Sequence, residues 1–238
     1  MKDIIKNNFS AFCHAFKSPL LNNDVVCKPF QLKYTFIPIL LLVSCFFFNI
    51  DIAAENYVKY DMPGSLTYYF NIITRFGLAI YLLIPLGIIV LARLFIDADK
   101  LSEKVRHNLA KLNSYAWFLL ATVAVSGIVG QVLKFVIGRA RPKFFLEYGS
   151  HYFQHFHKPG YDFASMPSGH SITVAAFCMG LIYLAPKFRV LWILLAVAVA
   201  FSRIVLGSHY PSDVVFGLAI GCYSTVFVYY WMRNRELI

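Results

Sequence analysis

Long apolar runs separated by short polar stretches set the pattern of this chain. Six runs approach the about 20 residues that a bilayer-spanning helix needs: Tyr34–Ile50, Phe76–Ile96, Tyr115–Ile137, Ser168–Ala185, Phe188–Leu206 and Ser212–Met232. The first, fourth and fifth are short for a span, so their ends are the least sharply set. The pattern predicts an all-α membrane fold of six transmembrane helices in a single bundle over residues 34–232, with an N-terminal segment 1–33 and a tail 233–238. Between the first two runs, Asp51–Arg75 reads as a loop. Its Tyr68, Tyr69 and Phe70 are placed to lie in the membrane interface on a short amphipathic helix.

Composition agrees with the pattern. Of 238 residues, 59% are hydrophobic and 14% charged, where a soluble domain carries about 25% charge. A net charge of +10 points to nucleic acid in a soluble protein. Here the cations sit beside apolar runs and no basic and aromatic module is present, so no nucleic-acid partner is expected. The five cysteines, Cys13, Cys27, Cys45, Cys178 and Cys222, are odd in number and irregular in spacing. That disfavours a disulfide framework or a zinc site. Met1–Lys33 is polar and basic and lacks the pattern of a cleavable signal peptide.

The cations also orient the spans. Those before the first run, between the second and third, between the fourth and fifth, and after the sixth fall on one side, which the positive-inside rule makes cytoplasmic, both termini included. Eight of the 22 cations fall on the other side: Lys59, Arg75, Lys134, Arg139, Arg141, Lys143, Lys158 and Arg203. Cations on a translocated side run against the rule, and an anionic ligand accounts for them.

Three segments meet at that same level: Lys134 to Pro142, where the third span ends; Pro167-Ser168-Gly169-His170, where the fourth begins; and Ser202-Arg203 to Asp213, joining the fifth to the sixth. Lys134, Arg141 and Arg203 are cations close to membrane depth, where charge is costly and usually functional. Arginine suits bidentate contact with phosphate and lysine a point-charge contact. Ser168 and Gly169 open a helix whose free N–H groups and dipole favour an anion. His209 and Asp213 are four apart, the spacing of one helical face, so the carboxylate can fix the imidazole tautomer and leave the other nitrogen free to attack. His170 is then available to protonate a leaving oxygen. Taken singly, each group also fits a snorkelling cation, a hydrogen-bonded histidine or an ordinary helix start; the conjunction favours chemistry.

The pattern Lys134-x6-Arg141-Pro142, Pro167-Ser168-Gly169-His170 and Ser202-Arg203-x5-His209-x3-Asp213 resembles the three-part signature of the type 2 phosphatidic acid phosphatase superfamily, with every signature position matched. The resemblance implies a six-helix membrane core and metal-independent hydrolysis of a lipid phosphate; no cofactor and no obligatory protein partner is evident in the sequence. It implies His209 as nucleophile, Asp213 as its orienting acid and His170 as general acid. Lys134, Arg141, Ser168, Gly169 and Arg203 would hold the phosphoryl oxygens. The twelve acids are dispersed, with no cluster for a pair of divalent ions.

The substrate is less legible. The loop Lys143–Met166 carries Tyr148, His151, Tyr152, Phe153, His155, Phe156 and His157, which fit either interfacial anchoring or a pocket for lipid chains and a sugar or glycerol head. The chain length, the Gly-Arg139-Ala-Arg141-Pro stretch and this loop are similar to bacterial lipid A 1-phosphatases, which would place the site at the periplasmic face of the inner membrane. Phosphatases of undecaprenyl diphosphate or phosphatidylglycerol phosphate share the core and stay open as alternatives, as does a lipid-to-lipid phosphotransferase.

Overall fold

The computed structural model describes residues 4–10, 32–156, 160 and 162–238. Cys13, Cys27, His157, Lys158 and most of the expected N-terminal segment lie outside the described residues. Helix α1 (Leu32–Cys45) runs through a π-helical turn, Phe46–Ile50, into α2 (Asp51–Tyr60). Next come α3 (Gly64–Ile73), the 3-10 turn Thr74–Gly77 and α4 (Ala79–Phe95). Then follow α5 (Glu103–Ile137), α6 (Gly169–Leu184), α7 (Arg189–Val205) and α8 (Pro211–Arg233). Apart from one isolated bridge between Arg139 and Phe153, the described regular structure is helical.

Five helical stretches are long and apolar enough to cross a membrane: Tyr34–Tyr60, Gly64–Phe95, Glu103–Ile137, Pro186–Val205 and Pro211–Arg233. Their outer faces are paved with exposed large apolar side chains, such as Ile84, Ile88 and Leu91 on α4 and Val190, Leu194 and Val197 on α7. Such a surface suits lipid and not water; the chain is a multi-pass membrane protein. The fourth expected span, Ser168–Ala185, is the 16-residue α6, shorter than the about 20 residues of a full crossing. It packs against α5, α7 and α8 and buries Ile172, Val174, Ala175 and Ala176. The contact with α8 is backbone to backbone: a Cβ on Gly217 would lie 2.7 Å from the Ser168 carbonyl oxygen.

Two differences from the sequence pattern bear on function. The first helical rod does not stop at Ile50. It continues through α2, with Asp51 and Glu55 buried, although acids after an apolar run resemble the start of a loop. The expected interfacial helix is α3, and it packs against α7, where Phe70 meets Phe201 at 5.7 Å between ring centres. On the opposite end of the rods, the Asn8 side chain donates to the Leu94 carbonyl at 3.2 Å, covering the end of α4.

Candidate active site

The site gathers where α5 ends, α6 and α8 begin, and α7 ends. Gly138 makes the first turn. Its φ of +62° ends α5 in the left-handed region, and a Cβ there would sit 1.8 Å from the Gln154 carbonyl oxygen. The turn swings Arg139, Arg141 and Pro142 back over the helix end. Lys134 and Arg141 then share one acceptor, the carbonyl of Ala164, at 2.8 and 3.4 Å. Arg141 also donates to the Ser208 carbonyl at 3.1 Å. A Cβ on Gly169 would lie 3.9 Å from Lys134 Nζ, so the ammonium stands over the bare first residue of α6. Ser168 is buried at the N-cap of that helix, and its backbone N–H donates to the Asp213 carbonyl at 3.0 Å. Arg203, Lys134 and Arg141 are all within electrostatic reach of His170.

His209 lies between α7 and α8. The expectation that His209 and Asp213 meet on one helical face is corrected here. α8 begins at Pro211, with Tyr210 extended as its cap, so His209 precedes the helix. Asp213 is the third residue of α8 and folds back, accepting the Tyr210 N–H at 3.0 Å. This cap arrangement brings Asp213 Oδ2 to 3.7 Å from His209 Nδ1. The other ring nitrogen, Nε2, faces Arg141 Nη1 at 3.5 Å. Burial pushes the His209 imidazole down to about 3 from 6.5, with Asp213 pulling the other way, so it is neutral and its lone pair is available at ordinary pH.

Four residues escaped the sequence reading. Thr74 accepts a hydrogen bond from Arg203 at 2.7 Å, and a Cβ on Gly77 would collide with His170 Cδ2 at 2.8 Å. The 3-10 turn between α3 and α4 therefore backs two site residues at once. Ser165 donates to Asp213 Oδ2 at 2.6 Å. Asp51, from the junction of α1 and α2, pairs with Arg139 at 2.7 Å, and Arg139 pairs in turn with Asp213 at 2.6 Å. Burial opposes the Arg139 charge, yet Asp213 and Asp51 outweigh it and hold the guanidinium charged. Arg139 was grouped by sequence with the cations awaiting an anion; the structure gives it two carboxylates instead.

The aromatic loop folds on itself. Tyr148 stacks on Tyr152 at 4.5 Å and Phe144 on Phe163 at 6.0 Å between ring centres. His151 and His155 hydrogen-bond the carbonyls of Phe47 and Val136, at 2.9 and 3.1 Å. Lys143 pairs with Asp162 at the surface. Among the described residues no three His, Cys, Asp or Glu side chains form a candidate metal site.

A bundle of lipid-facing helices that brings two histidines, a buried aspartate and three phosphate-suited cations together defines a membrane hydrolase of phosphate esters. Residues 115–237 match the PAP2 superfamily, and the chain belongs to that superfamily. It is 34% identical over 191 residues to the lipid A 1-phosphatase of Rhizobium etli, across 75% of this chain and 79% of that one. It is 45% identical over 107 residues to the lipid A 1-phosphatase of Rhizobium johnstonii, across 44% of this chain and 43% of that one. A shorter match, 31% over 104 residues, is to the undecaprenyl-diphosphatase of Sulfolobus acidocaldarius, across 43% of this chain and 48% of that one. The fold is that of the transmembrane PAP2-type phosphatidylglycerolphosphate phosphatase of Bacillus subtilis, with a TM-score of 0.58 and 22% identity, over 86% of this chain and 96% of that one.

Proposed function

We propose that this protein removes the 1-phosphate of lipid A at the periplasmic face of a bacterial inner membrane, through a phosphohistidine on His209. One observation carries the choice of substrate: the 34% identity to a lipid A 1-phosphatase extends over three-quarters of the chain, beyond the signature segments. The geometry supports the following mechanism. Lys134, Arg141 and Arg203, with the Ser168 hydroxyl and the Gly169 N–H at the start of α6, hold the phosphate dianion and stabilise charge on its equatorial oxygens. His209 Nε2 attacks phosphorus in line as the P–O bond to the lipid breaks, and His170, holding a second proton beside the bound dianion, gives it to the departing lipid oxygen. Water then attacks the phosphohistidine, returns a proton to His170 and releases inorganic phosphate. Three side-chain cations neutralise the dianion, so the reaction needs no metal.

The substrate is tested by phosphate release from micellar lipid A 1-phosphate, undecaprenyl diphosphate and phosphatidylglycerol phosphate, each with excess chelator. Lipid A is expected to be fastest, with chelator without effect. Preference for the prenyl diphosphate, or transfer to an added acceptor lipid without free phosphate, would replace this reading. Orientation is tested by labelling single cysteines on intact cells. Glu147→Cys is expected to react with an impermeant thiol reagent and Ser102→Cys to stay protected; both native residues are exposed.

A further inference from the structure

Arg139 stands two residues before Arg141, yet it has no donor left for a phosphate. Its side chain is 0% exposed. Nε donates to the Ser150 carbonyl at 3.1 Å, and Nη1 to Ser212 Oγ at 2.7 Å and Asp213 Oδ1 at 2.6 Å. Nη2 donates to Asp51 Oδ2 and the Ser150 carbonyl, both at 2.7 Å. The rings of Tyr210 and Phe47 lie 4.2 and 4.9 Å from the guanidinium carbon. Asp51 is held as firmly, accepting the Ser212 N–H at 2.9 Å and the Ser212 hydroxyl at 2.5 Å. It reaches this position directly after the π-helical turn Phe46–Ile50, a widened turn that changes which face of the rod the next residue occupies.

We infer that Asp51 and Arg139 are positioning residues that fix the carboxylate of Asp213, and through it the attacking imidazole. The inference rests on the reading of His209 as nucleophile. A carboxylate can pivot about its Cβ–Cγ bond unless both oxygens are held. Arg139 holds Oδ1, while Ser165 and the Tyr210 N–H hold Oδ2 beside His209 Nδ1. Charge points the same way. When Nε2 bonds to phosphorus, Nδ1 keeps its proton and the ring becomes cationic. Two carboxylates around one guanidinium leave one negative charge to balance that ring. Asp51 also draws on the guanidinium, which would otherwise bear on Asp213 alone and weaken its electrostatic pull on Nδ1–H, 3.7 Å away.

The test uses the full-length protein in detergent, with lipid A 1-phosphate as substrate, and Asp51→Asn, Arg139→Gln and the double variant. Rates are expressed per folded molecule, from thermal unfolding and size exclusion. Each single variant is expected to lower kcat about ten- to hundredfold, as for partners that orient metal-bound histidines, and to leave KM within about twofold. The double variant restores the one negative charge on Asp213, so it is expected to be faster than Arg139→Gln alone, a coupling that independent sites do not show. Asp51→Asn is nearly isosteric, and the claim stands on it if Arg139→Gln does not fold. Wild-type kcat for Asp51→Asn overturns the inference. So does a raised KM with unchanged kcat for Arg139→Gln, which makes Arg139 a phosphate ligand. Activity surviving in His209→Ala would sink the reading of the nucleophile instead, whatever the other variants do.

Discussion

The two ring nitrogens of His209 face regions built on different rules. Beyond Nδ1, Asp213, Arg139, Asp51, Ser165 and Ser212 are buried, and each oxygen of Asp213 has a fixed donor. Beyond Nε2, Lys134, Arg141 and Arg203 donate to neutral oxygens, the carbonyls of Ala164 and Ser208 and the Thr74 hydroxyl. Arg139 and Arg141, two residues apart, belong to opposite regions. A carbonyl can be exchanged for a phosphate oxygen with a gain in charge pairing. A buried carboxylate cannot be given up so easily, since breaking such a pair costs about 3–5 kcal/mol. Partner chemistry, more than residue type or depth, separates the region proposed to receive the phosphate from the region proposed to hold the nucleophile.

Removing the group between the two regions has the largest expected effect. His209→Ala is expected to lower kcat by about 10³-fold or more, as for a lost nucleophile, and Asp213→Asn by less, because the imidazole survives. Initial-rate assays on the folded fraction decide this; a His209→Ala variant within tenfold of wild type ends the assignment. On the receiving side, Arg203→Lys is expected to cost about ten- to hundredfold in kcat/KM, since an ammonium keeps the charge and loses the planar fork that holds Thr74 and an oxygen together. Near-native activity there would mean that charge alone matters.

The backing of the site gives a smaller and mixed effect. Gly77→Ala places a Cβ 2.8 Å from both His170 Cδ2 and Val199 Cγ1. Overpacking of this kind costs about 1–3 kcal/mol, so a lower midpoint of thermal unfolding and a lower kcat are expected together. Unchanged values of both would show that the 3-10 turn yields freely.

The smallest effect is on pH dependence. The folded pKa of His209 is lowered to about 3 from 6.5, so the unfolded chain binds the extra proton. Its stabilising contribution is complete above pH 6.5 and is lost as pH falls from 6.5 toward 3, by at most about 1.4 kcal/mol per pH unit. Stability in detergent measured between pH 7 and 5 is expected to fall less steeply for His209→Gln than for wild type. Identical slopes would place His209 in contact with water.

The cations of the proposed receiving region were readable in the chain because they stand at the ends of apolar runs and fall in three short segments. The holding region was only half readable. Its Asp213 was found, but by the wrong route, since His209 precedes the helix and the contact is made through a helix cap. Asp51 was missed because an acid at the end of an apolar run looks like a loop boundary, whereas a π-helical turn carries the helix onward. A usable signal existed. Arg139 at membrane depth requires a counter-charge, and Asp51 and Glu55 are acids immediately following the first apolar run. Thr74 and Gly77 carry no such signal; neither a lone threonine nor a glycine after an interfacial helix marks a support for Arg203 or His170. The apolar pattern located the helices but counted α6 as a span despite its short run, because a short central helix enclosed by neighbours is as apolar as one facing lipid.

The central claim is that His209 carries the phosphoryl group between its two regions. It is tested most directly by a single turnover of excess protein with lipid A labelled by ³²P at the 1-phosphate, quenched in alkali within milliseconds to seconds. Transient label on the protein is expected, stable to alkali and released by acid as a phosphoramidate is, and mapping to the peptide that contains His209. His209→Ala should carry none. Label on a different residue, or complete turnover with no labelled protein at any quench time, would contradict the account.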